Sequence, residues 1–466
     1  MKIISNSAKI YLLSIFLCLL LATNNSFSQQ NNSSQNQQEQ KDAKKKESNK
    51  PIAEKTEKDN AESEESIEVP LLIQSDENAG WTSATNGWIG LRSKLAEKGI
   101  ELETAITGDM ISNVSGGISS GNAFLNNVDV AISFDGETLM GWQGATLLTY
   151  ILGNYGGSPG DYVGDFQGVS NIDAFNTWKV YELWLEQNFA QDSWSFKAGL
   201  IDLNSEFYVT ETAGFFINSS FGIGAEFAQT GQNGPSIFPA TSLALRVRYS
   251  PMESVYGQFA AFDAVSGNPD NPRGTQIHRF NSTDGLLLTG EIGSINSGEA
   301  FGESYQKIAI GGWRYTADFA SIDETSSSNN NMGVYLLGER QLFRGYSDPA
   351  QGLSCFANVG FANSTYNQIG LFYSAGAVYS GVFPGRDADA VGIAVATVRS
   401  GTPFRQWMIQ TGQPVENAET AIELSYRAQL FPWFAFQPDL QYIVNPGMDS
   451  QLQNSIAVGA RFEISL

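Results

Sequence analysis

The chain has 466 residues, a net charge of -22 from 49 Asp and Glu against 27 Lys and Arg, only 16% charged residues, 12% aromatics, 47 Gly, two Cys and one His. A globular cytosolic chain carries about 25% charged residues and about 7% Gly, so this one is poor in charge and rich in Gly at a mean hydropathy of only -0.19. The negative field repels phosphate backbones and excludes a nucleic-acid partner, and the apolar run Ile10 to Leu21 falls short of the roughly 20 residues of a spanning helix, which excludes a helical membrane protein.

Lys2 and Lys9 precede that apolar run, and Ser26 and Ser28 stand at -3 and -1 of a cut before Gln29. This is the pattern of a secretory signal peptide, residues 1–28. Cys18 follows Leu17, where a lipoprotein site needs a small residue, so no lipid anchor is expected. Removal of the signal leaves Cys355 alone, and an exported chain then has no internal disulfide to hold it. Residues 29–80 are rich in Gln, Asn, Lys, Glu and Ser and contain no aromatic residue. Such a segment cannot bury enough apolar surface to offset the entropy of ordering. It reads as a disordered mixed-charge linker, with a tether to the cell wall or to a partner as its functional alternative.

The domain proper is expected over residues 81–466. A short helix is predicted in "TNGWIGLRSKLAEKGIELE", with Trp88, Leu91 and Leu95 on one side, Asn86 as cap and Gly99 as stop. It either packs at one end of the domain or narrows its mouth. From there the chain alternates apolar and polar residues with period two, the signature of strands with two unlike faces. Val128, Val130, Ile132 and Phe134 oppose Asp129, Ala131, Ser133 and Asp135. Tyr181, Leu183, Leu185 and Phe189 oppose Glu182, Trp184, Glu186 and Asn188, and "AQD" leads into Trp194, Phe196, Ala198 and Leu200. Leu243, Leu245, Val247 and Tyr249 oppose Ala244, Arg246 and Arg248. Ile422, Leu424, Tyr426, Ala428 and Leu430 oppose Glu423, Ser425, Arg427 and Gln429, and "FPW" turns toward Asp439 to Tyr442. The final strand sets Ile456, Val458, Ala460, Phe462, Ile464 and Leu466 against Ala457, Gly459, Arg461, Glu463 and Ser465.

Short turns at one end contrast with long polar connections at the other, such as Ser266 to Gly285 and Ser321 to Met332. That asymmetry describes an outer-membrane β-barrel, with Tyr181, Phe189, Tyr249 and Phe431 as interfacial girdle aromatics. The fold class is therefore all-β, a transmembrane antiparallel barrel. At roughly 24 residues per strand and connection the span 81–466 gives about 16 strands, a size that leaves an aqueous channel. An even strand number places both ends of the barrel, and the linker, on the periplasmic side.

Taken together these blocks resemble a known family, the carbohydrate-selective porins of the OprB type in Gram-negative outer membranes. The most specific is "ETAIELSYRAQLFPWFAFQPDLQYIVNPG", Glu419 to Gly447; "WIGLRSKLAEKGIELE", "LMGWQGA", "LWLEQNF" and "KAGLIDLNSEF" support it. The terminal Leu466 departs from the aromatic that ends many such barrels, and the acidic linker is no hallmark of the family. The resemblance implies a 16-stranded channel that passes mono- and oligosaccharides to the periplasm, as a monomer or homotrimer among outer-membrane lipids.

Neutral sugars require forked donors, carboxylate acceptors and an aromatic surface. The polar faces supply Arg246, Arg248, Arg427 and Arg461 with Glu182, Glu186, Glu423 and Asp439, and Trp184 as a stacking platform. These residues either line the sugar path or pair with one another and stiffen the wall. No catalytic site, metal or cofactor is expected. The lone His278 falls in a predicted loop away from any nucleophile, and Asp387 with Asp389 is too few ligands for calcium. The rival readings are a non-selective or structural barrel tethered to the cell wall, and a surface adhesin built on a two-faced sheet.

Overall fold

The computed structural model describes residues 83–275, 283–298, 304–345, 351–413 and 415–466. The expected signal peptide and linker, Trp81 and His278 lie outside them. Besides the short paired strands Phe319–Ala320 and Ser327–Ser328, sixteen barrel strands follow a helix α1 (Asn86–Ala96): β1 (Ile100–Gly117), β2 (Gly121–Asp135), β3 (Ala145–Gly156), β4 (Thr177–Phe189), β5 (Trp194–Ile201), β6 (Ser242–Met252), β7 (Val255–Asp263) and β8 (Leu286–Asn296) make the first half. β9 (Gln306–Tyr315), β10 (Met332–Arg344), β11 (Gly352–Ala362), β12 (Ile369–Ser380), β13 (Ala390–Ser400), β14 (Ala418–Phe431), β15 (Phe434–Val444) and β16 (Gln453–Ser465) complete it. Each pairs antiparallel with its sequence neighbour, and β1 pairs with β16 from Ala105 opposite Ser465 to Gly117 opposite Gln453. The sheet thus closes into a 16-stranded barrel without a free edge.

The period-two pattern sets the two faces. Leu183, Leu245, Ile422, Leu424, Leu440 and Val458 point outward and remain exposed, as do the girdle aromatics Phe189, Tyr249 and Phe431. At the short-turn end Trp194 stacks on Tyr249 with ring centroids 4.4 Å apart, and Phe431 stacks on Trp433 at 5.2 Å. Among the described residues no helix is long and apolar enough to cross a membrane.

Two local expectations are corrected. Tyr181 is not a girdle residue: it is only 3% exposed and turns into the barrel. Tyr150 pairs with Glu182 and the next residue, Ile151, with Val180, so Tyr181 is the extra residue of a β-bulge. The bulge puts Tyr181 and Glu182 on the same face, and Tyr181 packs edge-on against Tyr150. The cap of α1 is also displaced by one position. Asn86 is the first helical residue, and the Thr85 side chain accepts the Trp88 N–H at 3.2 Å. α1 lies at the end where the barrel begins and finishes, since Arg92 Nη1 donates to the Leu466 carbonyl at 3.3 Å.

Connections at that end are mostly short, as at 253–254 and 432–433. The opposite end carries 157–176, 202–241, 264–285, 316–331 and 401–417. Two of these long connections, 157–176 and 202–241, fold into the barrel, and the second supplies several of its largest buried side chains. Phe207, Tyr208, Phe216, Phe221 and Phe227 are all fully buried. The inner wall of β11 to β13 is made small to receive them. A Cβ at Gly392 would lie 2.6 Å from the Phe215 ring and 2.9 Å from that of Phe216.

Candidate functional site

Inward-facing residues of β4, β5 and β6 fall in one row, because Glu186 is opposite Lys197 and Lys197 is opposite Arg246. The row forms a charge network with Glu206 from the inserted connection. Arg246 Nη2 lies 2.7 Å from Glu186 Oε1, and Arg246 Nε lies 3.0 Å from Glu206 Oε2. Lys197 Nζ reaches Glu186 at 3.4 Å and also contacts Glu206. Burial alone would raise the Glu206 carboxyl, but Lys197 and Arg246 hold it down to about 2. The Lys197 ammonium is 3.8 Å from the centre of the Trp184 ring, which is 4% exposed. Glu182 accepts Trp184 Nε1 and the Asp202 N–H, both at 3.1 Å, and so fixes the root of the connection.

Further round the wall the same arrangement recurs. Glu423 accepts the backbone N–H groups of Ile217 at 2.7 Å and Asn218 at 2.9 Å. Asp439 accepts Ser425 Oγ at 2.5 Å and Gln441 Nε2 at 2.9 Å, and Gln441 in turn donates to the Val169 carbonyl. Arg461 grips Asp109 through Nε at 2.7 Å and Nη2 at 2.8 Å, and donates to Asn171 at 2.6 Å. Ser170 Oγ adds a bond to Asp109 at 2.7 Å. Backbone polar groups drawn into a low-dielectric interior need partners, and the wall side chains supply them.

Of the nine residues singled out from the sequence, seven (Glu182, Trp184, Glu186, Arg246, Glu423, Asp439 and Arg461) are buried beneath the inserted connections. The other two keep part of their surface open. Arg427 donates through Nη2 to Glu463 at 2.8 Å and through Nη1 to Gln429 at 2.8 Å. Arg248 lies over the Tyr256 ring at 4.7 Å. Sequence reasoning missed the partners that complete the set. Glu291 accepts Tyr208 N–H at 3.0 Å, Tyr256 Oη at 2.8 Å and Tyr335 Oη at 2.7 Å. Glu339 accepts Glu211 N–H at 3.1 Å, Thr212 N–H at 2.8 Å and Tyr305 Oη at 2.8 Å. Glu419 accepts Phe166 N–H at 2.8 Å and Gln167 N–H at 3.1 Å. Their signal was present: each is a carboxylate at a polar position of an alternating strand. Among the described residues no three potential ligands gather as a metal site, and Asp389 is engaged by Arg386 at 2.8 Å.

Comparison with known proteins follows this geometry. Porin B of Pseudomonas aeruginosa is 24% identical over 418 residues, 81% of this chain and 89% of its own length. The putative porin QuiX of Acinetobacter baylyi is 21% identical over 426 residues, 81% of this chain and 92% of its own. The high-pH structure of Pseudomonas putida OprB superposes with a TM-score of 0.76 at 21% identity, covering 84% of this chain and all of that one. Residues 120–466 match the family described as carbohydrate-selective porin, OprB family. The chain belongs to this family of carbohydrate-selective porins, outer-membrane channels that pass sugars by diffusion.

Proposed function

We propose that mono- and oligosaccharides cross this channel down their own gradient through the space that the inserted connections leave. On this reading Arg427, Glu463, Gln429 and Arg248, inward and partly open, offer hydroxyl-binding donors and acceptors toward the short-turn end. The seven buried residues act at one remove, fixing the two connections whose surfaces border the path. The observation that carries the reading is the clasp of Glu182, Glu291, Glu339 and Glu423 on the backbone of 202–218. A constriction must be rigid to discriminate between solutes, and four wall carboxylates hold this one.

The long-loop end then faces the exterior, and the short-turn end, with both chain termini of the barrel and the linker, faces the periplasm. Acyl chains cover the outward Leu, Ile and Val side chains between the aromatic girdles. One chain closes its own ring of strands, so a single copy suffices for conduction, whether alone or within a trimer. Planar-bilayer current that falls in a saturable manner on sugar addition tests the reading. Current indifferent to every sugar at millimolar levels would instead favour the non-selective, tethered barrel.

A further inference from the structure

Between the helical turn Ala225–Ala228 of the inserted connection and the loops after β9 and β11 lies a crevice of about 270 Å3 at the long-loop end. Glu226, Gln229, Thr230, Asn331, Tyr366 and Gln368 line it. Two of these are buried side chains with a hydrogen-bonding atom left over. Glu226 is 1% exposed; its Oε1 accepts Tyr208 Oη at 3.0 Å, and its Oε2 has no hydrogen-bond partner among the described residues. Asn331 is 0% exposed; its Oδ1 accepts Asn367 Nδ2 at 2.8 Å, and its own Nδ2 has no partner among the described residues.

Unmatched buried polar atoms are uncommon and costly, and they concentrate where a ligand completes them. The fold makes room for this acid. A Cβ at Gly360 would lie 1.7 Å from Glu226 Oε1, and a Cβ at Gly224 would lie 2.1 Å from Oε2. Neither position can carry a side chain while the carboxyl stays in place. The chemistry of the leftover atoms narrows the occupant. A cation is opposed by the amide donor of Asn331, an anion meets no cationic side chain among the lining residues, and an apolar group satisfies neither. A polyol satisfies both once the two buried side chains turn toward the crevice, because one hydroxyl donates to the acid while its neighbour accepts from the amide. Phe319 and Tyr366 add flat surface at the edge for a ring face.

We propose that this crevice is a subsite for one sugar ring, occupied at the long-loop end apart from the residues near Arg427. It rests on the sugar-channel reading and adds a second place of binding to it. The test is a glucose titration of the purified, detergent-solubilised barrel followed by tryptophan fluorescence. Trp313, stacked on Phe227 at 4.9 Å, is the neighbouring reporter. Glu226→Gln and Asn331→Ala are each expected to raise the half-saturating glucose concentration about tenfold, the scale of one lost hydrogen bond to a charged or buried group. Gln368→Ala, an exposed substitution at the rim that leaves folding alone, is expected to raise it about threefold. Trp313→Phe is expected to remove that part of the signal. Titrations of the three lining variants that match the parent, in barrels with normal heat-modifiable mobility, overturn the subsite. Glucose block of the parent channel in a bilayer is measured alongside. Absence of block overturns the sugar-channel reading itself, whereas block together with unchanged crevice variants overturns only the subsite.

Discussion

Glu339 offers the sharpest test of how the inserted connection is held. Its carboxylate is buried on the inner face of β10 and takes the N–H groups of Glu211 and Thr212 together with Tyr305 Oη. Lys307, opposite it on β9, donates to the Val209 carbonyl at 2.8 Å, so the stretch 209–212 is gripped from two adjacent strands. Glu339→Ala leaves two backbone donors without acceptors. At about 1–3 kcal/mol for each buried unsatisfied group, the inserted position loses about 2–6 kcal/mol. With a factor of ten for every 1.4 kcal/mol, the fraction of channels with this stretch displaced rises about 30-fold at the lower bound. Single-channel recording should show larger mean conductance and added open-channel noise. Limited proteolysis of the folded barrel should reveal a new cut near Glu211. Glu339→Gln keeps one acceptor and should fall between. Parent-like conductance, noise and cleavage in a folded Glu339→Ala barrel would refute the idea that wall carboxylates set the width of the path.

Arg427→Ala should weaken sugar block of the current and leave assembly intact, because its partners Glu463 and Gln429 lie at the partly open inner surface; unchanged block places the side chain outside the sugar path. Leu424→Arg sets a cation on the outer face beside Ile393 and Leu440 and should cost about 2–4 kcal/mol of stability near mid-membrane, read as a lower temperature of heat-modification. The pH dependence of Glu226 has a definite sign. Burial pushes its carboxyl up to about 7, so between the ordinary carboxylate range and 7 the folded chain binds more protons than the unfolded one. Stability is therefore lost as pH rises through that window. Glu226→Gln should raise the unfolding temperature at pH 8 and leave it unchanged at pH 4, and an equal effect at both values would show that the parent carboxyl titrates normally.

Strand faces were legible because a side-chain period of two does not depend on distant partners. Leu424 and Arg427, or Val458 and Arg461, fall on the outer and inner sides by parity alone. Tyr181 defeated the parity rule, since the bulge that turns it inward leaves the local pattern of the strand intact and shows only in the pairing of β3 with β4. The polar inner residues were identifiable as inward, but their employment was not. Glu423 could equally have faced a sugar or a loop, and only the course of 202–241 decides between them. That connection carried a signal of its own, five buried Phe and Tyr without strand periodicity, which suits a packed insertion better than a solvated loop.

The sequence by itself determined the two-faced strands, their approximate number, the closure into a barrel and the family, all of which follow from short-range alternation and local blocks. The tertiary structure alone decided which connections fill the lumen and which carboxylates grip them. Apart from Glu182 with Asp202, those contacts join residues about 60 to 250 positions apart, as Asp109 to Ser170 and Glu419 to Phe166 do, where chain spacing no longer constrains geometry and only the closed barrel brings the donors and acceptors within bonding distance.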